Sequence, residues 1–457
     1  MFRRKQYALL QEWKTRSNGR TAVLVEGARR VGKTTLVEAF VSNEYAKSLV
    51  VDFSQTSDDV RNLFLDHAND IDTLLRMLQL YHEIELPVRN SAIVFDEVQR
   101  FPPAREMIKH LVADGRYDYL ETGSLISIKK NVENIVIPSE EERVALRPFD
   151  FEEYLWATGH EMLSDEIRRC YETLTPLPDA VHAQAMRLFD EYLVVGGMPQ
   201  AVAAFAEDAT FVECDRRKRL ILALYFDDIA KFGGGDSRKA LAILKGIPGQ
   251  LSAQSKRYRF SSLQKGLRYE DYESAMHWLE DSHIVNVCHL CSDPNVGFRL
   301  SEVDSRLKCY MVDTGLLVSL AFDEGDESWR IPRALQVGKL SINRGMLVEN
   351  VVAQQLRARS HTLHYYSWEE PPEHADARKP RNREIDFLLS KGFSNASGKL
   401  RVCPVEVKSS KRYSTVSLDD FRERWPKRVG DEVVLHPKQL KIEGPRNYLP
   451  LYMAHCL

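Results

Sequence analysis

The residues from Gly27 to Thr34, GARRVGKT, follow the spacing G-x-x-x-x-G-K-[ST]. In this pattern two glycines let successive backbone N–H groups turn toward phosphate oxygens, and a helix start adds a favourable partial charge. Lys33 would neutralise the outer phosphates, the Thr34 hydroxyl would ligate Mg²⁺, and Thr35 continues the same turn. Residues 91–97, SAIVFDE, form an apolar run ending in two carboxylates. Asp96 would support the Mg²⁺ shell, and Glu97 would orient and deprotonate an attacking water. In YLETGS, Thr122 or Ser124 would sense the outermost phosphate, with a simple polar turn as the alternative. Arg29, Arg30, Arg143 and Arg147 are the candidates for a further cation.

A second grouping lies in the C-terminal third. GMLVENVVAQQLRA reads as a helix in which Glu349 shares a face with Gly345, Val352, Ala353 and Leu356. A carboxylate on that packed side must be paired or line a pocket, because burying it alone is costly. REIDFLLS and VCPVEVKSS alternate like strands, placing Glu384 with Asp386 on one face and Glu406 with Lys408 on another. An acid followed on a neighbouring strand by E-x-K is the arrangement of PD-(D/E)XK nucleases. There Asp386 and Glu406 would hold Mg²⁺, Lys408 would activate water, and Glu349 would complete the site. The same fold without activity is the competing reading.

The elements that must position these residues follow from periodicity. TAVLVE, the glycine-rich loop and TLVEAFV give strand, loop and helix. Helical patterns run from Pro148 to Phe232, broken by GGMP, and KFGGGDS is the best hinge in the chain. Residues 239–290 give helix, short basic helix, longer helix and apolar strand, the order of a winged helix. Lys256, Arg257, Arg259, Lys265 and Arg268 are interleaved there with Tyr258 and Phe260, a patch that would meet nucleic-acid phosphates. A basic face packed on another domain or protein is an equal alternative. The expected organisation is a nucleotide domain at 1–147, a helical lid at 148–235, a winged-helix-like segment at 236–310 and a nuclease-like α/β domain at 311–457.

The chain is 44% hydrophobic and 28% charged, with net charge −3 and seven cysteines. These values describe a globular chain of several domains rather than a disordered or membrane-spanning one. No run is long enough for a signal-peptide core or a bilayer span, so a cytoplasmic setting with reduced thiols is expected. Cys288 and Cys291 have ligand spacing, but they have no companion pair and sit in a strand-like run, which argues against zinc.

Taken together, GARRVGKTTLVE, IVFDEVQ, ETGSL, RPFDFEEYLWATG, YLVVGGMPQAV, YFDDIAKF, MVDTGLL, GMLVENVVAQQL, EIDFLL and VEVKSS resemble an uncharacterised group of prokaryotic AAA-type ATPases. Their C-terminal half is a domain of unknown function related to restriction-endonuclease folds. The resemblance runs nearly end to end and implies ATP as the nucleotide. One departure is IPSEEERVALRPF, where relatives tend to carry a glycine and a basic residue before the proline. The preferred expectation is an ATP-driven switch, with an ATP-regulated Mg²⁺-dependent nuclease or a binding scaffold as alternatives. Oligomer formation, as in many AAA-type rings, stays open.

Overall fold

In the computed structural model of the chain, residues 1–123, 139–208, 210–253, 255–322, 344–370, 381–390 and 400–457 are described. Ser124 lies outside them. The chain divides into two compact units. The first comprises Met1–Arg147, Tyr225–Ser237 and Asp281–His283, and the second Pro148–Leu224, Arg238–Glu280 and Ile284–Leu457. The glycine stretch of residues 233–235 lies just before the boundary between Ser237 and Arg238. A second boundary, however, falls at Leu224/Tyr225, within the helix Phe211–Phe232. The stretch expected as one lid, 148–235, is therefore shared between the units.

The first unit is built on five parallel strands: β1 (Ala22–Glu26), β2 (Lys47–Asp52), β3 (Ser91–Asp96), β4 (Asp118–Gly123) and β5 (Glu141–Ala145). Their order is β2-β3-β4-β1-β5. The inner strands β3 and β4 are buried at every position, as a parallel sheet covered on both faces requires. Period-two alternation sends Val23 and Val25 into a core with Leu36, Val37 and Phe40, while Leu24 joins Val51, Ile93 and Phe95 on the opposite face. Because β4 lies between β1 and β3, the ends of all three strands meet at one edge.

The second unit contains the remaining strands. β6 (Val285–Cys291) and β7 (Glu302–Met311) form an antiparallel hairpin, and β6 also pairs in parallel with β8 (Leu363–Glu370). β8 pairs antiparallel with β9 (Arg381–Ile385), completing the order β7-β6-β8-β9. After Asp386, β10 (Phe387–Leu389) pairs antiparallel with β11 (Cys403–Val407), which pairs in parallel with β12 (Glu432–His436). The helix Val416–Arg424 makes the crossover between β11 and β12. β13 (Lys441–Glu443) and β14 (Arg446–Pro450) finish this sheet in the order β10-β11-β12-β14-β13.

Ahead of the hairpin come the helix Ser237–Ser252, a short 3-10 turn at Phe260–Ser262 and the helix Glu273–Asp281. The expected division near residue 310 runs along the end of β7, yet this hairpin is part of the sheet that β8 and β9 continue. Cys288 and Cys291 both lie in β6, and three residues apart on a strand they face opposite ways. Cys291 donates to the Asp293 carbonyl instead (3.2 Å).

Candidate functional sites

In the first unit, β1 leads into the loop at residues 27–32, and the helix Lys33–Glu44 begins at Gly32. Gly32 has φ +97°, a left-handed value that glycine adopts without steric cost. At Gly27 a Cβ would lie 2.2 Å from the Leu146 carbonyl oxygen, so no other residue fits. Lys33 Nζ donates to the Gly27 and Ala28 carbonyls, both at 3.1 Å. Burial pushes its pKa below the ordinary value, against the opposing influence of Glu97 and Asp96. Arg4 braces the loop by donating to the carbonyls of Val31 (3.1 Å) and Arg147 (2.5 Å).

The ends of β3 and β4 complete the arrangement. Thr34 Oγ1 donates to Asp96 Oδ1 at 2.9 Å, and the Thr122 hydroxyl donates to the same oxygen. The Glu97 N–H donates to Thr122 Oγ1 (3.2 Å), tying the two strand ends together. Glu97 itself adopts φ +52°, an uncommon value for a residue with a Cβ, and Gln99 Nε2 donates to its Oε2 at 2.6 Å. Thr35 is exposed on the first helical turn.

The arginine candidates separate clearly. Arg29 is paired with Asp228 at 2.6 Å, and its carbonyl accepts from Tyr225 Oη (3.2 Å). Arg143 lies beside Glu141 (3.2 Å), Arg147 is buried, and Arg30 is exposed with φ +66°.

In the second unit the structure brings Glu349, Glu384 and Asp386 around a residue that sequence reading missed, Lys308 of β7. Its ammonium is fully buried, 3.0 Å from Glu349, 2.6 Å from Glu384 and 3.7 Å from Asp386. Lys256 pairs with the other oxygen of Glu349, and Tyr310 Oη donates to Oε1 at 2.6 Å. Burial alone would raise the Glu349 pKa, but Lys256 and Lys308 hold it down at about 2. Burial would likewise depress Lys308, and the surrounding carboxylates instead hold its pKa well above the ordinary lysine value. The missed signal was an alternating strand, LKCYM, in which Lys308 and Tyr310 share a face. A lysine in so apolar a run must find a buried anion.

The remaining expected residues sit on β11 and just beyond it. Asp386 Oδ2 accepts from the Val407 N–H (2.8 Å), and Lys408 Nζ lies 2.6 Å from Glu406. Burial, reinforced by Asp386, pushes the Glu406 pKa up to about 7 despite Lys408.

Of the basic residues expected to meet phosphates, Arg257, Arg259, Lys265 and Arg268 are exposed. Lys256 is instead committed to Glu349. Tyr258 and Phe260 are buried, with ring centroids 5.0 Å apart, so they anchor the segment rather than offer stacking surfaces.

Residues 19–155 match the AAA domain family, residues 186–327 a domain of unknown function (DUF8612), and residues 344–453 another (DUF4143). The chain thus carries an AAA-type P-loop ATPase domain followed by domains of unknown function. No curated protein matches it. Among solved structures, a Walker-type ATPase of Pyrococcus abyssi is 14% identical, with a TM-score of 0.43 over 70% of this chain and 96% of that one. A Drosophila ORC structure bound to DNA is 13% identical, with a TM-score of 0.30 over 74% and 96% of the two chains. Cdc6p from Pyrobaculum aerophilum is 10% identical, with a TM-score of 0.24 over 74% and 95%. No helix among the described residues is long and apolar enough to cross a membrane.

Proposed function

We propose that this chain is an ATP-driven switch in which nucleotide binding and hydrolysis by the first unit govern what the winged-helix-like and nuclease-like segments engage. The observation that carries the reading is the junction of Thr34, Asp96, Thr122 and Glu97 at the P-loop edge. The glycine cradle at residues 27–32 fits phosphate, and the hard oxygens of Thr34 and Asp96 fit Mg²⁺. When bound, Mg²⁺ supplies charge neutralisation at the phosphates.

The protein's own contributions are separate. Lys33 moves from the loop carbonyls to phosphate oxygens, and Glu97, steadied by Gln99, orients the attacking water and accepts its proton. Purified protein should bind and hydrolyse ATP. Lys33→Ala should lose binding, and Glu97→Gln should bind ATP while turnover falls at least about a hundredfold. Wild-type protein that neither binds nor hydrolyses ATP would falsify the proposal.

A second reading, an ATP-regulated nuclease, draws support from the strand sequence after the helix Arg344–Ala358. Two antiparallel pairings followed by a parallel crossover place Asp386 beside β11, which carries Glu406, with Lys408 just after it. Against it stands the ammonium of Lys308, which lies among Glu349, Glu384 and Asp386 and so already neutralises one of the two expected Mg²⁺ ligands. A carboxylate set already neutralised in this way does not fit Mg²⁺ as well. The domain is therefore a nuclease-like scaffold in this arrangement, and no cleavage of single- or double-stranded DNA or RNA is expected with Mg²⁺, with or without ATP. Mg²⁺-dependent cleavage that disappears in Asp386→Ala would establish the nuclease instead.

A further inference from the structure

A different cluster lies on the opposite side of the β6–β7 hairpin register. His289 of β6 is paired with Leu307 of β7, whereas Leu290 is paired with Val303, so the register shifts between them. Residues 304–306 are thereby thrown out of the ladder, a bulge that re-aims side chains. It brings Glu302 and Asp304 toward His289, and one donor atom from each of the three lies within 4.8 Å of the others. His289 Nδ1 is buried, makes no hydrogen bond and lies 3.7 Å from Glu302 Oε1.

The neighbouring strand supports this trio. His364 of β8 stands beside His289 in register, is 2% exposed, and its Nε2 lies 2.9 Å from Glu302 Oε2. That contact fixes one carboxylate oxygen and leaves Oε1 toward His289. The ring, itself buried, thereby holds Glu302 in one orientation. Asp304 is exposed and leaves an entry path from solvent.

We propose that His289, Glu302 and Asp304 form a binding site for a borderline divalent transition metal of the zinc class, with His364 as the positioning residue for Glu302. One imidazole and two carboxylates suit such ions better than Mg²⁺ or Ca²⁺, which select all-oxygen shells. Zinc bonds to these donors are about 2.0–2.2 Å long, so the His289–Glu302 separation needs only slight contraction and the exposed Asp304 can rotate in. Waters would complete the shell. The site is independent of the nucleotide reading, since none of its residues belongs to the P-loop unit.

The test is Co²⁺ binding to full-length, chelator-stripped, nucleotide-free protein, followed by visible absorption and displaced with Zn²⁺. One equivalent is expected with a nitrogen-and-oxygen-ligand spectrum, retained in Lys33→Ala. His289→Gln and the solvent-facing Asp304→Asn should each weaken it by roughly tenfold or more, and His364→Gln by a similar factor. Circular dichroism of Asp304→Asn should match wild type, which separates lost ligation from lost folding. No Co²⁺ spectrum, or one that persists unchanged in both His289→Gln and Asp304→Asn, would overturn the assignment.

Discussion

Replacing Lys308 by methionine keeps the length and apolar bulk of the side chain while deleting one buried positive charge. The contacts around that charge determine the cost. Glu349 keeps Lys256 and Tyr310 as partners, and Asp386 keeps the Val407 N–H. Glu384 loses the ammonium at 2.6 Å, and burial already holds its pKa above the ordinary value, so it is the group that takes up a proton. Breaking a buried ion pair by removing one partner costs about 3–5 kcal/mol, and protonation of Glu384 places the expected loss at the low end, about 3 kcal/mol.

Urea unfolding followed by tryptophan fluorescence reports on this unit, because Trp368 belongs to the core that includes Ile385 and Leu388 and Trp425 packs against it. The variant should also gain a cation site. Mn²⁺ at a hundredfold excess over its Kd for the new site should restore about 2.7 kcal/mol beyond any stabilisation that wild type shows at the same concentration. A variant within about 1 kcal/mol of wild type, or one indifferent to Mn²⁺, would refute the idea that Lys308 stands where a metal would.

Three further outcomes are expected. Gly27→Ala drives a methyl group into the Leu146 carbonyl oxygen, so ATP affinity measured by fluorescent-nucleotide titration should fall at least about tenfold, with about 1–3 kcal/mol of stability lost. Glu406, with its folded pKa raised to about 7, favours folding below its unfolded value near 4.5, and that contribution is lost as pH rises through 7. The shift corresponds to about 3 kcal/mol across that window, and Glu406→Gln should flatten the stability-versus-pH curve there. If the exposed arginines bind nucleic acid, the double variant Arg257→Ala, Arg259→Ala should reduce the salt slope of binding by about 2 in an anisotropy titration; an unchanged slope would assign the patch to another partner.

The nucleotide edge was legible because its chemistry is local: strand, glycine loop and helix adjoin in sequence, and β3 announces itself by ending in paired acids. Glu349 was legible as a carboxylate that had to be paired, though its partners were not. Those partners, Lys256 and Lys308, come from segments read as a separate module, and tertiary packing brings them to Glu349. The fate of Arg29 was hidden for the same reason, since its partner Asp228 is distant in sequence. The basic patch misled at Lys256, Tyr258 and Phe260, because composition counts charges and rings without saying which face they occupy. The bulge that gathers His289, Glu302 and Asp304 leaves no mark in the pattern of residues.

The pairing of β6 with β8 also bears on what counts as a module. Lys308 belongs to the stretch matched at residues 186–327, while Glu349, Glu384 and Asp386 belong to the one matched at 344–453. Cutting between them would divide an ion cluster into a buried cation without anions and anions without their cation. It would also strip β8 of its parallel neighbour, turning an interior strand into an open edge ready to pair with other copies. The unit of inheritance and the unit of folding therefore differ here: two segments recognisable apart in sequence make one body that neither can complete alone.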